Sequence, residues 1–260
     1  MKVKGSLRRI PVLLYHSVTD SPVGAIAPYT VSPATFERHL ELIAERHQAL
    51  TVSQLVECLG AGRTLPPAPV VITFDDGFAD NLDEAAPRLA GHKLAATVYV
   101  TSGLVGQAGM LGWEQLSELE QAGIEVGAHA HTHTPLDELQ MADAVEEIRR
   151  SKAMIEHRLQ HELATFAYPH GYSTRRLRNE VRAAGFGSAC GVRNAFSHPA
   201  DDPWCIARLT VRADTGPEQI ERWLRAEGAP VASPREAFKT LAWRTVRRAR
   251  RSAGLRPRPR

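Results

Sequence analysis

The sequence predicts an α/β fold, a distorted (β/α)7-type barrel whose functional end lies at the C-terminal ends of its strands. Three observations predict it. Short apolar runs alternate with longer helical patterns about seven times along the 260 residues. Some of those runs, Pro69–Phe74 above all, are apolar almost without interruption, which marks strands covered on both faces. The composition, 43% hydrophobic and 23% charged, is that of a chain able to bury a large core. It excludes disordered, collagen-like and coiled-coil proteins.

The elements follow in order. Ile10–His16 reads as a buried strand. Ser32 and Pro33 make a good helix start, Ser as N-cap and Pro at the first helical position, with Phe36, Leu40 and Ile43 at helical spacing behind them. Ser53 opens a shorter helix through Leu59, stopped by Gly60 and Gly62, and Pro66–Pro69 is a turn into the strand Pro69–Phe74. Asn81–Leu89 reads as helix, Leu94–Val100 as strand, Trp113–Gln121 as helix and Ile124–Ala128 as strand. Asp137–Leu159 is the longest expected helix, with Val145, Ile148, Ile155 and Leu159 on one face. Strand Thr165–Tyr168, helix Thr174–Ala184, short strands near Gly187–Cys190 and Ile206–Val211, and a helix Glu218–Ala226 complete the series.

Charge divides the chain. Residues 235–260 hold ten Lys/Arg and one Glu, leaving 22 Lys/Arg against 28 Asp/Glu before them, so the basic balance belongs to a tail. A mildly acidic body argues against nucleic acid as partner. The expected division is a domain over 1–230 and a basic extension over 231–260. In that extension Phe238, Leu241, Trp243 and Val246 alternate with basic residues. Such a segment suits either a basic amphipathic helix on an anionic membrane surface or a solvated tail. The longest uncharged stretch, Leu94–Trp113, contains Gly103, Gly106, Gly109 and Gly112 and reads as strand plus loop, not a membrane span. With no signal-peptide pattern after Met1–Arg9, the expected location is cytoplasmic, with the inner membrane face as an option. The three cysteines, Cys58, Cys190 and Cys205, form no CxxC pair and no disulfide framework, and are expected to be packing residues.

Parallel α/β folds gather their sites at the C-terminal strand ends. Three such ends carry polar residues here. Ile10–Tyr15 runs into His16, Val70–Phe74 into Asp75-Asp76-Gly77, and Ile124–Ala128 into His129, His131 and His133. Two imidazoles and a carboxylate make a three-ligand metal site with open positions, suited to catalytic zinc or to non-haem iron. Side chains alternate along a strand, so Asp75 and Asp76 can divide labour, one on the metal and one facing its water. A helix N-cap would need only one Asp.

These residues carry a resemblance. Thr73-Phe74-Asp75-Asp76-Gly77, Gly127-Ala128-His129-Ala130-His131-Thr132-His133 and Phe166-Ala167-Tyr168-Pro169-His170-Gly171 resemble, in order, the three signatures of the NodB-like polysaccharide deacetylases, carbohydrate esterase family 4. The resemblance spans about residues 10–225. It implies that Asp76, His129 and His133 bind a divalent metal, zinc first, with cobalt, nickel or iron as alternatives. It implies that Asp75 is the general base and that the backbone N–H of His170, after Tyr168-Pro169, faces the oxyanion. The usual Leu-x-His acid near the domain's C-terminal end is absent, and His198 sits in a loop-like Phe196-Ser197-His198-Pro199. Instead Leu13-Leu14-Tyr15-His16 is similar to the circularly permuted branch that includes poly-β-1,6-N-acetylglucosamine deacetylases, which implies His16 as general acid. The arginine that many relatives carry before Tyr-Pro is also missing, and Arg208, with Arg193 as fallback, is the candidate to orient Asp75.

Lesser expectations follow. His131 points away from its neighbours, Asp80 and Asn81 cap the next helix, and Tyr168 and Trp113 either stack on a sugar or pack in the core. The implied activity is metal-dependent removal of N-acetyl groups from an N-acetylated glycan or lipid-linked sugar. A non-haem iron oxygenase is the first rival, disfavoured because this alternation does not suit a double-stranded β-helix. A catalytically silent glycan-binding barrel is the second, disfavoured because binding alone has no need of Asp75. A hydrolase of a non-glycan amide remains a third reading.

Overall fold

Pro69–Phe74, all six residues buried, forms the strand around which the molecule is built. The computed structural model describes residues 8–22, 24–60 and 64–233. In chain order the strands are β1 (Val12–Tyr15), β2 (Ser17–Val18), β3 (Thr30–Val31), β4 (Gln48–Leu50), β5 (Pro69–Phe74), β6 (Thr97–Val100), β7 (Glu125–Ala128), β8 (Thr165–Ala167), β9 (Ser188–Cys190) and β10 (Leu209–Thr210). The α-helices are α1 (Pro33–Arg46), α2 (Val52–Gly60), α3 (Ala86–Gly91), α4 (Trp113–Gln121), α5 (Met141–Leu159), α6 (Arg175–Ala183) and α7 (Pro217–Leu224).

The main sheet runs β10-β1-β5-β6-β7-β8-β9, with β4 beside the first half of β5, and every pairing in it is parallel. It curls into an open, distorted barrel. Its two ends approach through one segment: Ile206 makes a single parallel bridge to Cys190, and Leu209 pairs with Leu13.

Alternation along the strands sorts the core into two parts. Leu13, Tyr15, Val70, Ile72, Phe74, Val98, Val100, Val126, Ala128 and Phe166 face outward to the helices. Val12, Val71, Tyr99, Ala167, Cys190 and Ile206 face inward and meet Val52 and Leu55 of α2, which plugs the lower end. The N-terminus of α2 is capped from across the barrel, Val52 N–H donating to Thr97 Oγ1 at 3.0 Å and to Glu125 Oε2 at 3.1 Å.

Register sets the site. Tyr15 lies opposite Phe74, so His16 and Asp75 emerge side by side. Val100 lies opposite Ala128, which brings His129 up on the next strand but one.

The elements differ from the expectation in several places, and the strands expected at Leu94–Val100 and Ile206–Val211 are shorter, Thr97–Val100 and Leu209–Thr210. Asn81–Leu89 is a π-turn at Asn81–Ala85 followed by α3, because Pro87 has no N–H to continue the α-helical ladder. Asp137–Leu159 splits into a 3-10 turn, Leu136–Glu138, and α5, because Leu139 is extended (φ −78°, ψ 159°). The pair β2–β3 and strand β4 were not anticipated. The boundary near residue 230 and the basic segment 235–260 fall at the edge of, or outside, the described residues. No helix among the described residues is long and apolar enough to cross a membrane.

Candidate metal-dependent active site

Asp75 continues the inward face of β5, after Val71 and Thr73, and ends fully enclosed at 3% exposure. Arg208 has the same inward parity as Ile206, is itself 0% exposed, and reaches up the barrel to it. The pair is bidentate: Nη1 to Oδ1 at 2.6 Å and Nη2 to Oδ2 at 2.7 Å. Arg208 Nε donates to Gly191 O at 2.9 Å, and its guanidinium lies 5.6 Å from the Tyr99 ring centroid. Burial alone would raise the Asp75 carboxyl, but the Arg208 charge overrides it and holds the carboxyl below its ordinary value. Arg193 is elsewhere, paired with Asp201 at 3.3 Å.

Strand parity would send Asp76 outward. Its left-handed backbone, φ 76°, turns it back to the mouth, and Gly77 at φ 84° carries the chain away. There Asp76 Oδ1 meets His133 Nε2 at 3.0 Å and His129 Nε2 at 3.4 Å. One ligand atom from each of the three residues lies within 4.8 Å of the other two.

His129 has inward parity on β7, and its Nδ1 is 2.8 Å from Ala167 O. That carbonyl can only accept, so the Nδ1 proton is fixed there and the Nε2 lone pair faces Asp76. His133 reaches the cluster through a loop with two left-handed residues, Ala130 (φ 59°) and His133 itself (φ 61°). His131 points away, its Nδ1 2.9 Å from Ser102 Oγ, while its carbonyl accepts from Gly103 N–H at 2.8 Å. A Cβ on Gly103 would stand 2.4 Å from that carbonyl, so the loop needs glycine there.

The donor set fits a divalent cation. Asp76 Oδ1 is buried and has no hydrogen-bond partner, although two imidazole nitrogens face it. Burial pushes the Asp76 carboxyl up, but contact with His129 and His133 overrides it and holds the group well below its ordinary value. An ionised carboxylate and two imidazoles converging on a shared point are the three-ligand set of a catalytic site rather than the four-ligand set of a closed structural one.

His16 stands at the mouth beside Asp75, its ring 5.2 Å from Tyr29 and its Nδ1 buried without a hydrogen bond. Burial lowers its pKa; the Asp76 and Asp75 charges oppose that, and Arg208 and His129 add to it. The backbone of His16 is held by Asn81, whose Nδ2 donates to His16 O at 2.8 Å. Asp80 and Asn81 therefore do not cap the helix as expected. Asp80 accepts from Ser17 Oγ at 2.6 Å, and the two residues tie the π-turn to the segment just after β1.

His170 follows the buried Pro169 with a left-handed backbone (φ 57°), and its ring lies tilted against that of His133, centroids 4.7 Å apart. Tyr168 is a correction. It shares the outward parity of Phe166, is 0% exposed, packs edge-on to that ring, and donates to Trp204 O at 3.1 Å. Its side chain belongs to the core and lines no substrate site. Trp113 sits beside Met154, His157, Arg158 and Gln160 in a shallow cleft apart from the mouth. His198 is buried in its loop, within 3.1 Å of Ala232 O. Cys190 and Cys205 are buried thiols and Cys58 is half-buried.

Comparison with known proteins follows the same line. The family model described as polysaccharide deacetylase matches residues 62–189. A provisionally named polysaccharide deacetylase of Bacillus subtilis is 27% identical over 209 residues, 80% of this chain and 72% of its own. The poly-β-1,6-N-acetyl-D-glucosamine N-deacetylase of Staphylococcus aureus is 23% identical over 214 residues, 76% of this chain and 73% of its own. Among solved structures, the Streptococcus pyogenes deacetylase PplD in complex with acetate superposes with a TM-score of 0.76 at 22% identity, covering 83% of this chain and 97% of that one. IcaB from Ammonifex degensii gives 0.71 at 25% identity, covering 84% and 97%.

Proposed function

Since the chain belongs to the NodB-like polysaccharide deacetylases, we propose that it is a metal-dependent hydrolase that removes N-acetyl groups from an N-acetylated glycan. The observation that carries this reading is the Asp76–His129–His133 cluster standing directly beside the Arg208-clamped Asp75. A divalent cation held by Asp76, His129 and His133, zinc by preference, would supply a Lewis acid for the acetamide carbonyl and an acidified water.

The chain's own residues do the rest. Asp75 has both oxygens engaged by Arg208, which fixes its plane and leaves its remaining lone pairs for the mouth. In this reading it takes the proton of the attacking water. Arg208 is a positioning residue, keeping Asp75 ionised and in a single rotamer. The backbone N–H of His170, presented by the turn after Pro169, donates to the developing oxyanion. The imidazole of His16, on the opposite lip, gives a proton to the departing sugar amine. Residues 1–230 form the catalytic domain in this account, and 231–260 a basic extension.

The experiment is acetate release from a panel of N-acetylglucosamine oligomers and lipid-linked N-acetyl sugars, using metal-stripped protein with zinc, cobalt or nickel returned. Metal-restored release from any of them is the expected result, and the best member of the panel names the substrate class. No release from any glycan, with one metal bound per chain, would sink the glycan reading in favour of another amide or of binding without cleavage.

A further inference from the structure

The two histidines of the cluster are held very differently. His129 sits on β7 and inherits the rigidity of the sheet. His133 depends on the four-residue step from 129 to 133, which has left-handed backbone at Ala130 and at its own end. Left-handed non-glycine residues persist only where their surroundings over-determine them.

One wall of that support is backbone and hydroxyl: Ser102 N–H donates to Ala130 O at 3.2 Å, Gly103 N–H donates to His131 O, and Ser102 Oγ pairs with His131 Nδ1. The other wall is a single carboxylate. Glu147, half-buried on the second turn of α5, accepts at Oε2 from His131 N–H (3.0 Å) and from Thr132 N–H (2.7 Å). At Oε1 it accepts from the Thr132 hydroxyl at 2.9 Å. Two successive backbone donors and a side-chain donor, all between the two histidines, thus close on one charged acceptor. Charge-assisted bonds of this kind are the strong ones, and they fix a loop more tightly than neutral pairs do. Thr132 Oγ1 also lies 2.9 Å from Thr134 Oγ1, which carries the clamp past His133.

We propose that Glu147 is a positioning residue for the metal centre: its carboxylate locks the 131–132 backbone so that His133 meets Asp76 and His129 in one fixed geometry. The inference rests on the metal-site reading above. Glu147 touches none of the three clustered side chains; it acts through the loop. Supports of this kind commonly govern metal affinity by about 10- to 100-fold.

The test is metal binding by the full chain, without substrate. Metal-stripped wild type, Glu147→Ala and Glu147→Gln are titrated with cobalt while its visible absorption is followed, and zinc affinity is read by competition. Circular dichroism at the same temperature establishes that each variant is folded. Glu147→Ala should bind zinc about 10- to 100-fold more weakly and change the cobalt spectrum, and Glu147→Gln, which keeps an acceptor oxygen for the two N–H groups, should fall between. A folded Glu147→Ala with wild-type affinity and spectrum would show that Glu147 serves stability alone, and would overturn the proposal. Should Glu147→Ala not fold, Thr132→Val and Glu147→Gln decide: affinity unchanged in both overturns it, and weakening in either supports it. Wild type that binds no metal would instead remove the metal-site reading, and this inference with it.

Discussion

At the residue scale the buried Asp75–Arg208 pair carries both chemistry and risk. A fully enclosed guanidinium loses its partner charge when Asp75→Asn is made, and breaking such a pair costs about 3–5 kcal/mol. Asp75→Asn should therefore lose acetate release by at least about 100-fold and also unfold at lower denaturant, with metal still bound. The double substitution Asp75→Asn with Arg208→Met should recover much of the stability and none of the turnover. Stability restored together with activity would show that Asp75 is not the base. His16→Ala should leave metal affinity intact and slow turnover by about 100-fold; a near-normal rate at every pH removes it as the acid. Legibility at this scale varied with range. Asp75 and His129 were readable because each follows an apolar run directly, and Asp76 and His133 because they lie one and four residues further along. The outward side chain of Tyr168 was also legible in principle, since Phe166 two residues earlier fixes its parity. Glu147 left no local signal: its partners are 15 and 16 residues away, across a turn.

At the element scale, the strands position the site and the loops aim it. Long apolar strands and well-capped helices could be read directly; Ser32 does accept from Thr35 N–H, as an N-cap should. The two-residue strands β2 and β3 are too short to show any period, and the π-turn at Asn81–Ala85 arises from one missing N–H at Pro87. Close approach is the hidden constraint. Gly103 lies against the carbonyl of His131, where a methyl group would come within 2.4 Å of backbone. Gly103→Ala should displace the loop bearing His133, weakening zinc binding by at least about 10-fold while leaving the far-UV spectrum of the barrel in place. Zinc affinity equal to wild type in a folded Gly103→Ala protein would show that the loop tolerates the shift. On the opposite lip, Asn81→Ala removes the bond to His16 O and should lower kcat without moving metal affinity.

Across the whole molecule, acid stability depends on buried histidines, one of them on the outer face of β1 and α1. His39 of α1 is completely buried, its Nδ1 3.1 Å from the Tyr15 hydroxyl and its ring against the Thr215 backbone, whose contact only partly offsets the effect of burial. Burial lowers its pKa from the ordinary 6.5 to about 4. The unfolded chain therefore binds a proton that the folded chain refuses, so stability is full above pH 6.5 and drains away as pH falls to about 4. The loss is on the order of 3 kcal/mol. His16, also lowered, acts in the same direction, whereas His133, raised chiefly by Asp76 against the effect of burial, acts in the opposite one. Urea unfolding of wild type and His39→Gln at pH 7 and pH 4.5 separates them: the gap between the two proteins should shift in favour of His39→Gln in acid. A constant gap would show that His39 does not titrate within the fold.

The central claim is that one divalent cation, held by Asp76, His129 and His133, is required for turnover. Its most direct test is a zinc titration of metal-stripped protein with acetate release followed at each point, using the best N-acetylated substrate of the panel. The account predicts no release without metal, a linear rise, and a break at one zinc per chain, with none of this in His129→Ala. Full release from chelator-treated protein, or an undiminished rate in His129→Ala, would contradict it.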